Sequence, residues 1–240
     1  MPMSSFRIAQ ITDTHLRQQP SDPADLLSPD ACLERTVDAL RAHSPDAVLL
    51  TGDIADDGSV EGTNRACTIV ERLGVPIIAT PGNHDLTAQV EQVFGRNSVT
   101  VPGWEMVVVN TVIPAMEHGR VDIEMLTEQL TRTESRSTLI AMHHPPITLS
   151  THRWFQLDGA SEMVRLVTQH RNVKAVVSGH LHQAFAVQID PVSYIGCPSA
   201  WYAITHAGNT WAEAKDGFVG ANLYELNAEG TFTWQPIARP

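Results

Sequence analysis

The sequence predicts an α/β protein in which two mixed sheets pack face to face with helices outside. Two observations carry that reading. Up to Thr80 short apolar runs alternate with segments of helical periodicity, a β-α-β-α-β order that favours parallel neighbours and right-handed crossovers. From Ala184 onward the chain reads as a run of strands separated by turn residues.

The elements follow in order. Phe6 to Thr12 reads as a buried strand. Ala31 to Ala42 places Cys32, Val37 and Leu40 at helical spacing, and Pro45 breaks the chain before a second strand, Ala47 to Thr51. Val60 to Leu73 reads as a helix ended by Gly74, and Val75 to Thr80 as a third strand. After Gly82 the pattern changes. Leu86 to Phe94 reads as a short helix, with Ser98 to Val101 and Glu105 to Asn110 as consecutive strands. A helix over Asp122 to Glu134 leads into the strand Thr138 to Met142, and a helix over Ser161 to His170 into Lys174 to Ser178. Ala184 to Ile189, Ser193 to Gly196, Phe218 to Leu226 and Thr231 to Ile237 complete the strands. Asn227 to Gly230 supplies the turn of a terminal hairpin.

Composition bounds what such a fold does. The 240 residues suit one large domain spanning the chain, and 42% hydrophobic with 18% charged residues supports a sizeable core. A formal net charge of −11 disfavours binding to a nucleic-acid duplex. The surplus of carboxylates also suits a site that gathers them around divalent cations. Three scattered cysteines, Cys32, Cys67 and Cys197, argue against a disulfide framework. Met1 to Phe6 has no charged n-region, and no apolar stretch is long enough to span a bilayer, so the expectation is a cytoplasmic protein with no membrane partner.

The chemistry is written at the strand ends. The successive strands run into Asp13-Thr14-His15, Gly52-Asp53, Gly82-Asn83-His84-Asp85, His143-His144 and Gly179-His180-Leu181-His182. Ligands of α/β sheets bind outside the carboxyl ends of the strands, so these side chains converge on one crevice. Residues two apart on an extended strand point the same way, which lets Asp13 and His15, or His180 and His182, reach one ion together. Carboxylate, imidazole and amide oxygen suit iron, manganese or zinc. A lone D-x-H or G-D is ordinarily a plain loop; all five motifs in this order are a much stronger signal.

At this point the chain resembles the calcineurin-like metallophosphoesterase superfamily, whose pattern is D-x-H, G-D, G-N-H-[DE], H and G-H-x-H. Within it, ITDTHL, TGDIADDGS, HHPP and the CPSAW segment after GHLHQ resemble the class III cyclic-nucleotide phosphodiesterases. The resemblance implies a four-layer α/β/β/α sandwich and two divalent metal ions. Asp13, His15, Asp53 and His182 would hold the first, and Asp53, Asn83, His143 and His180 the second. Asp53 and a water or hydroxide would bridge them, and that hydroxide would attack phosphorus. His84 would be catalytic without binding metal, with Asn83, His84 and His182 facing the substrate. Asp85 would support the His84 loop, and Asp56 is a further polar residue near the site.

The implied substrate is a small phosphodiester, with 3′,5′-cyclic AMP leading. A glycerophosphodiesterase or phosphomonoesterase on the same scaffold is the alternative, and a protein-binding scaffold without activity the distant one. Members often dimerise through regions near the pocket, so a homodimer stays open. Asp216 to Gly220 departs from the Pro-Gly-[Tyr/Phe]-Arg of the cyclic AMP group, which leaves the natural substrate open. Several residues keep two readings. His144 is a donor behind the ligands or a strand-end residue. His206 is a loop residue or a substrate contact. Trp154, Phe155, Trp201 and Tyr202 form a lid, a dimer contact or core cover. His43, His118, His152 and His170 are read as solvated or capping.

Overall fold

In the computed structural model of the chain, residues 5–95, 100–133 and 136–240 are described. Ser98 and Val99 of the expected strand, Glu134 of the expected helix and the first residues of the N-terminal stretch lie outside them.

The first half alternates as expected: β1 (Phe6–Ile11), α1 (Pro29–Arg41), β2 (Ala47–Thr51), α2 (Val60–Val70), β3 (Ile77–Thr80), α3 (Thr87–Phe94) and β4 (Trp104–Val109). Next come β5 (Gly119–Arg120), α4 (Ile123–Arg132), β6 (Ser137–Met142), β7 (Leu157–Asp158), α5 (Ala160–Gln169) and β8 (Val173–Ser178). The remainder is β9 (Phe185–Ile189), β10 (Val192–Gly196), β11 (Ala203–Ala207), β12 (Thr210–Ala214), β13 (Gly220–Leu226) and β14 (Phe232–Ala238).

Local chemistry sets the helix ends. α1 begins earlier than its apolar spacing suggests, because Ser28 caps it by accepting from the Ala31 amide and Pro29 needs no hydrogen bond in the first turn. α2 tightens into a 3-10 turn over Glu71–Leu73 and stops at Gly74, in the left-handed conformation at φ 71°. Asp122 caps α4.

Two five-stranded mixed sheets result, ordered β14-β13-β1-β2-β3 and β4-β6-β8-β10-β9. In the first, β1, β2 and β3 run parallel, β13 runs antiparallel to β1, and β14 antiparallel to β13; in the second only β9 is antiparallel. Side-chain alternation assigns the faces. Ile8, Leu49, Leu139, Ala141, Ala175 and Val177 fill the space between the sheets. Ala9, Ile11, Val48 and Leu50 pack outward with Leu33, Val37 and Leu40 of α1. Ile140, Met142 and Val176 pack outward with Leu126 and Leu130 of α4 and Met163 and Val167 of α5. The layers are therefore α/β/β/α. No helix among the described residues is long and apolar enough to cross a membrane.

Two features were not expected. β5 and β7 pair as a two-residue parallel ladder, too short for periodicity to register. β11 and β12 form a hairpin where a loop was read; β12 is exposed almost throughout, so it carries no buried alternation.

At the carboxyl ends of the strands, polar contacts replace apolar ones between the sheets. The fully buried Gln10 donates to Thr51 Oγ1 (2.8 Å) and to the Ser178 carbonyl (3.1 Å), joining both sheets. Tyr224 donates to Gln10 Oε1 at 2.6 Å and accepts from Asn222 at 3.1 Å. Buried polar groups are tolerated only when paired, so this network also fixes the spacing of the strand ends. Tyr224→Phe should leave Gln10 Oε1 unpaired and cost about 1–3 kcal/mol in urea unfolding; an unchanged midpoint would show that the network does not carry that load.

Candidate metal centre

The loops after β1 and β2 run side by side, with the Asp13 and His15 amides donating to the Gly52 and Asp53 carbonyls, each at 3.0 Å. Asp85 ties in the next loop: its carboxylate accepts from the amides of Gly82 (2.9 Å), Ile54 (3.0 Å) and Ala55 (2.9 Å). Burial, with the charge of Asp53 nearby, pushes its acid up to about 6. A Cβ on Gly82 would collide with Asp53, and one on Gly52, at φ +85°, with His143 and Gly82. Glycine is the residue that lets these loops close.

The way paired residues converge differs from expectation. Asp13 and His15 are not in extended strand; β1 ends at Ile11. Of seven described non-glycine residues with positive φ, five are Asp13, His15, Asp53, His180 and His182. That backbone is uncommon outside glycine, and Asp and His are among the residues that visit it most readily. Left-handed turns, rather than strand alternation, aim these side chains inward.

The imidazoles are oriented by what they donate to. His143 Nδ1–H donates to the Thr51 carbonyl at 2.7 Å, which leaves Nε2 bare. His182 Nδ1–H donates to the Tyr202 carbonyl at 2.9 Å, and His15 Nδ1–H to Asp56 Oδ1 at 3.0 Å, leaving both Nε2 atoms bare. His180 is reversed: Nε2–H donates to the Trp154 carbonyl at 3.0 Å and Nδ1 is bare. Such outer partners select the tautomer of a metal-binding histidine.

The bare atoms face one another. His15 Nε2 and His182 Nε2 lie 3.2 Å apart, and His182 Nε2 lies 3.4 Å from Asp13 Oδ1. His143 Nε2 lies 3.2 Å from Asn83 Oδ1 and 3.4 Å from Asp53 Oδ2, which is itself 3.8 Å from His15 Nε2. Lone pairs pointed at lone pairs repel unless a cation or proton stands between them, so this donor set fits metal ions. Asp53 Oδ2 faces both groups, and its Oδ1 accepts from the His84 amide at 2.9 Å.

Charge gives the same answer. Asp13, Asp53, His15, His143, His180 and His182 are all buried. Burial opposes ionisation of Asp53, but His143 first, then His15 and His84, outweigh it and hold the carboxyl well below its ordinary range. For Asp13 burial is likewise outweighed, chiefly by His182. Burial disfavours the His143 imidazolium, yet Asp53 overcomes it and pushes the group up to about 9. Two buried carboxylates demand positive charge nearby, which either protons on imidazole or divalent cations supply.

Among described residues, triads of ligand atoms within 4.8 Å of one another include Asp13-His15-His182, Asp13-Asp53-His143 and His143-His144-His180. The last contains an impostor. His144 Nε2–H donates to the Glu117 carbonyl at 3.0 Å and Nδ1 accepts from Thr111 Oγ1 at 2.7 Å, so no lone pair remains for a metal. Burial, then the neighbouring His143, brings it down to about 3, keeping it neutral. Its ring packs on His180 at 4.4 Å and His143 at 4.8 Å, which makes it a support behind two of the converging imidazoles.

His84 lies at the cleft with its side chain 31% exposed, and its Nδ1–H donates to the Asp56 carbonyl at 2.8 Å. Burial lowers its basicity, but Asp53, the Asp56 carbonyl and the Asp56 carboxylate outweigh this and raise it. Asp56 also pairs with Arg17 at 3.1 Å. His206 donates through Nε2 to the Leu181 carbonyl at 3.0 Å, and the cleft lining includes Trp154 and Trp211. Trp211 closes the Thr205-to-Trp211 segment around His206; the sequence offered that segment as a rim of the pocket without singling out the indole. Phe155 is buried as core cover. His152 caps a 3-10 turn at Arg153–Phe155, as read, and His118 approaches Asp158 at 3.6 Å.

Sequence and structure comparisons show what the chain resembles. The sequence profile described as calcineurin-like phosphoesterase matches residues 6–184. A probable cyclic nucleotide phosphodiesterase of Synechococcus is 32% identical over 214 residues, 81% of this chain and 80% of that protein. A 3′,5′-cyclic-nucleotide phosphodiesterase of Nostoc is 29% identical over 240 residues, 94% of this chain and 90% of that one. Among solved structures, a dimetal phosphatase from Danio rerio superposes with a TM-score of 0.75 at 12% identity, covering 98% of this chain and 96% of that one, a likeness of fold.

Asp53→Asn keeps the volume and suits left-handed backbone but removes the shared charge. It should lower the metal content found by elemental analysis, and an unchanged content would count against Asp53 as a ligand. His144→Gln should keep its metal content, because no ligand atom is removed; a lost ion would make His144 a ligand after all.

Proposed function

We propose that this chain, which belongs to the calcineurin-like phosphoesterase family, is a two-metal phosphodiesterase acting on small diesters, with 3′,5′-cyclic AMP its leading substrate. The observation that carries the reading is the shared carboxylate. Asp53 Oδ2 lies 3.4 Å from His143 Nε2 and 3.8 Å from His15 Nε2, between two sets of inward-facing lone pairs. Asp13, His15, Asp53 and His182 would hold one ion, and Asp53, Asn83, His143 and His180 the other, as iron, manganese or zinc. Two such cations neutralise phosphoryl oxygens and acidify water at neutral pH.

The protein's own groups do the rest. The carbonyls of Thr51, Trp154 and Tyr202 hold three imidazoles in the ligating tautomer, so little reorganisation is needed on loading. His84, pinned through Nδ1, offers Nε2 to the cleft. In its protonated form it donates to the phosphoryl group or to the leaving oxygen. Asn83 and His182 would line the substrate beside it. The names of the Synechococcus and Nostoc relatives support a cyclic nucleotide as that substrate.

His84→Ala should keep both ions and lose roughly 10²–10⁴ in kcat, the usual worth of a positioned acid. Parallel loss of metal and activity would overturn its assignment. With manganese added, bis(p-nitrophenyl) phosphate should be cleaved faster than p-nitrophenyl phosphate. Cyclic AMP should lead a panel that includes 2′,3′-cyclic nucleotides and glycerophosphodiesters. The reverse preference would favour a monoesterase, and chelation should abolish turnover until metal is restored.

A further inference from the structure

One wall of the cleft has side chains that take no part in the chemistry above. Beside the ligands it is lined by Trp154, Phe155, Tyr202, Ile204 and Trp211. Phe155 and Ile204 are buried and cluster with Leu181, so the base of this wall is core. Trp211 is not core. It belongs to β12, every residue of which is exposed except the last, and is itself 39% exposed.

The hairpin is tied to the site at the position opposite that indole. His206 is the cross-strand partner of Trp211. It donates to the carbonyl of Leu181, between His180 and His182, and meets the Phe155 ring edge-on at 4.6 Å. Trp211 is thereby carried to the cleft, 5.8 Å from Trp154 and inclined at 69° to it. Trp154 is fixed in turn by the bond from His180 to its carbonyl. The lining of this cleft contains no Lys or Arg among the described residues. Its charge-recognising groups are the ligands and His84, and what lies beyond them is aromatic.

A rigid indole left at the solvent boundary beside a reactive centre is a recognition surface, because a flat ring covers it at small entropic cost. We propose that Trp211 and Trp154 form a nucleobase subsite, which holds the base of a cyclic nucleotide while its phosphodiester lies among the ligands. The substrate class narrows to diesters carrying one flat heterocycle and no second phosphate. The inference rests on the diesterase reading.

The test uses the full chain loaded with manganese, comparing wild type, Trp211→Ala and Trp211→Phe on cyclic AMP and on glycerophosphocholine, which has no ring. Stacking on an aromatic side chain is worth roughly tenfold in affinity. Trp211→Ala should raise KM for cyclic AMP by about that factor with little change in kcat. The ratio of kcat/KM for cyclic AMP to that for glycerophosphocholine should fall accordingly, and Trp211→Phe should restore most of it. Equal effects on both diesters, or an unmoved KM, would overturn the subsite while leaving the diesterase reading intact. If neither diester is cleaved, that reading has failed, and calorimetric titration with adenosine still decides the subsite: equal affinity for wild type and Trp211→Ala would sink it. A fall in solution mass on Trp211→Ala with KM unchanged would make the indole a contact between copies instead.

Discussion

Everything near the strand ends depends on the burial of two carboxylates, Asp13 and Asp53, with no lysine or arginine among the described residues that line the cleft above them. A desolvated anion is costly unless opposite charge is close by. The fold answers with one backbone amide for each, from His84 and His180, and otherwise surrounds the pair with histidines, so that what remains is a place for cations. The sandwich supplies the rigidity. Gln10, Thr51 and Ser178 lock the two sheets beneath the site, and the ligands rise from both of them.

A second layer decides what the histidines do. Residue identity alone leaves each ring two tautomers and two orientations. Backbone carbonyls from the 3-10 turn at Trp154, from Tyr202 and from the end of β2 remove that freedom. His144 shows the converse, since the same residue type, a single position further along, has both nitrogens engaged and becomes packing. The difference between ligand and support lies in what already occupies the lone pairs.

Much of this was legible in the sequence. The alternation of Ile8 with Ala9 and of Leu139 with Ile140 announces strands buried on both faces, and the order of polar motifs after those strands locates the crevice. Helix ends were less legible where a cap decides them, as at Ser28. The left-handed turns at Asp13 and His180 were not legible, because strand alternation is the default reading of any D-x-H. Nor was the β11–β12 hairpin, whose exposed strands bury too little to show a period. Its importance comes from two long-range contacts, His206 with Leu181 and Trp211 with Trp154, and neither is encoded in local pattern.

The facing nitrogens of His15 and His182 have a further consequence. Loading the centre is an exchange reaction, since protons bound to the empty cluster must leave as ions enter. His143, pushed up to about 9 by Asp53, carries such a proton at neutral pH when no cation is present. Acidification therefore competes directly with the uptake of cations at these atoms.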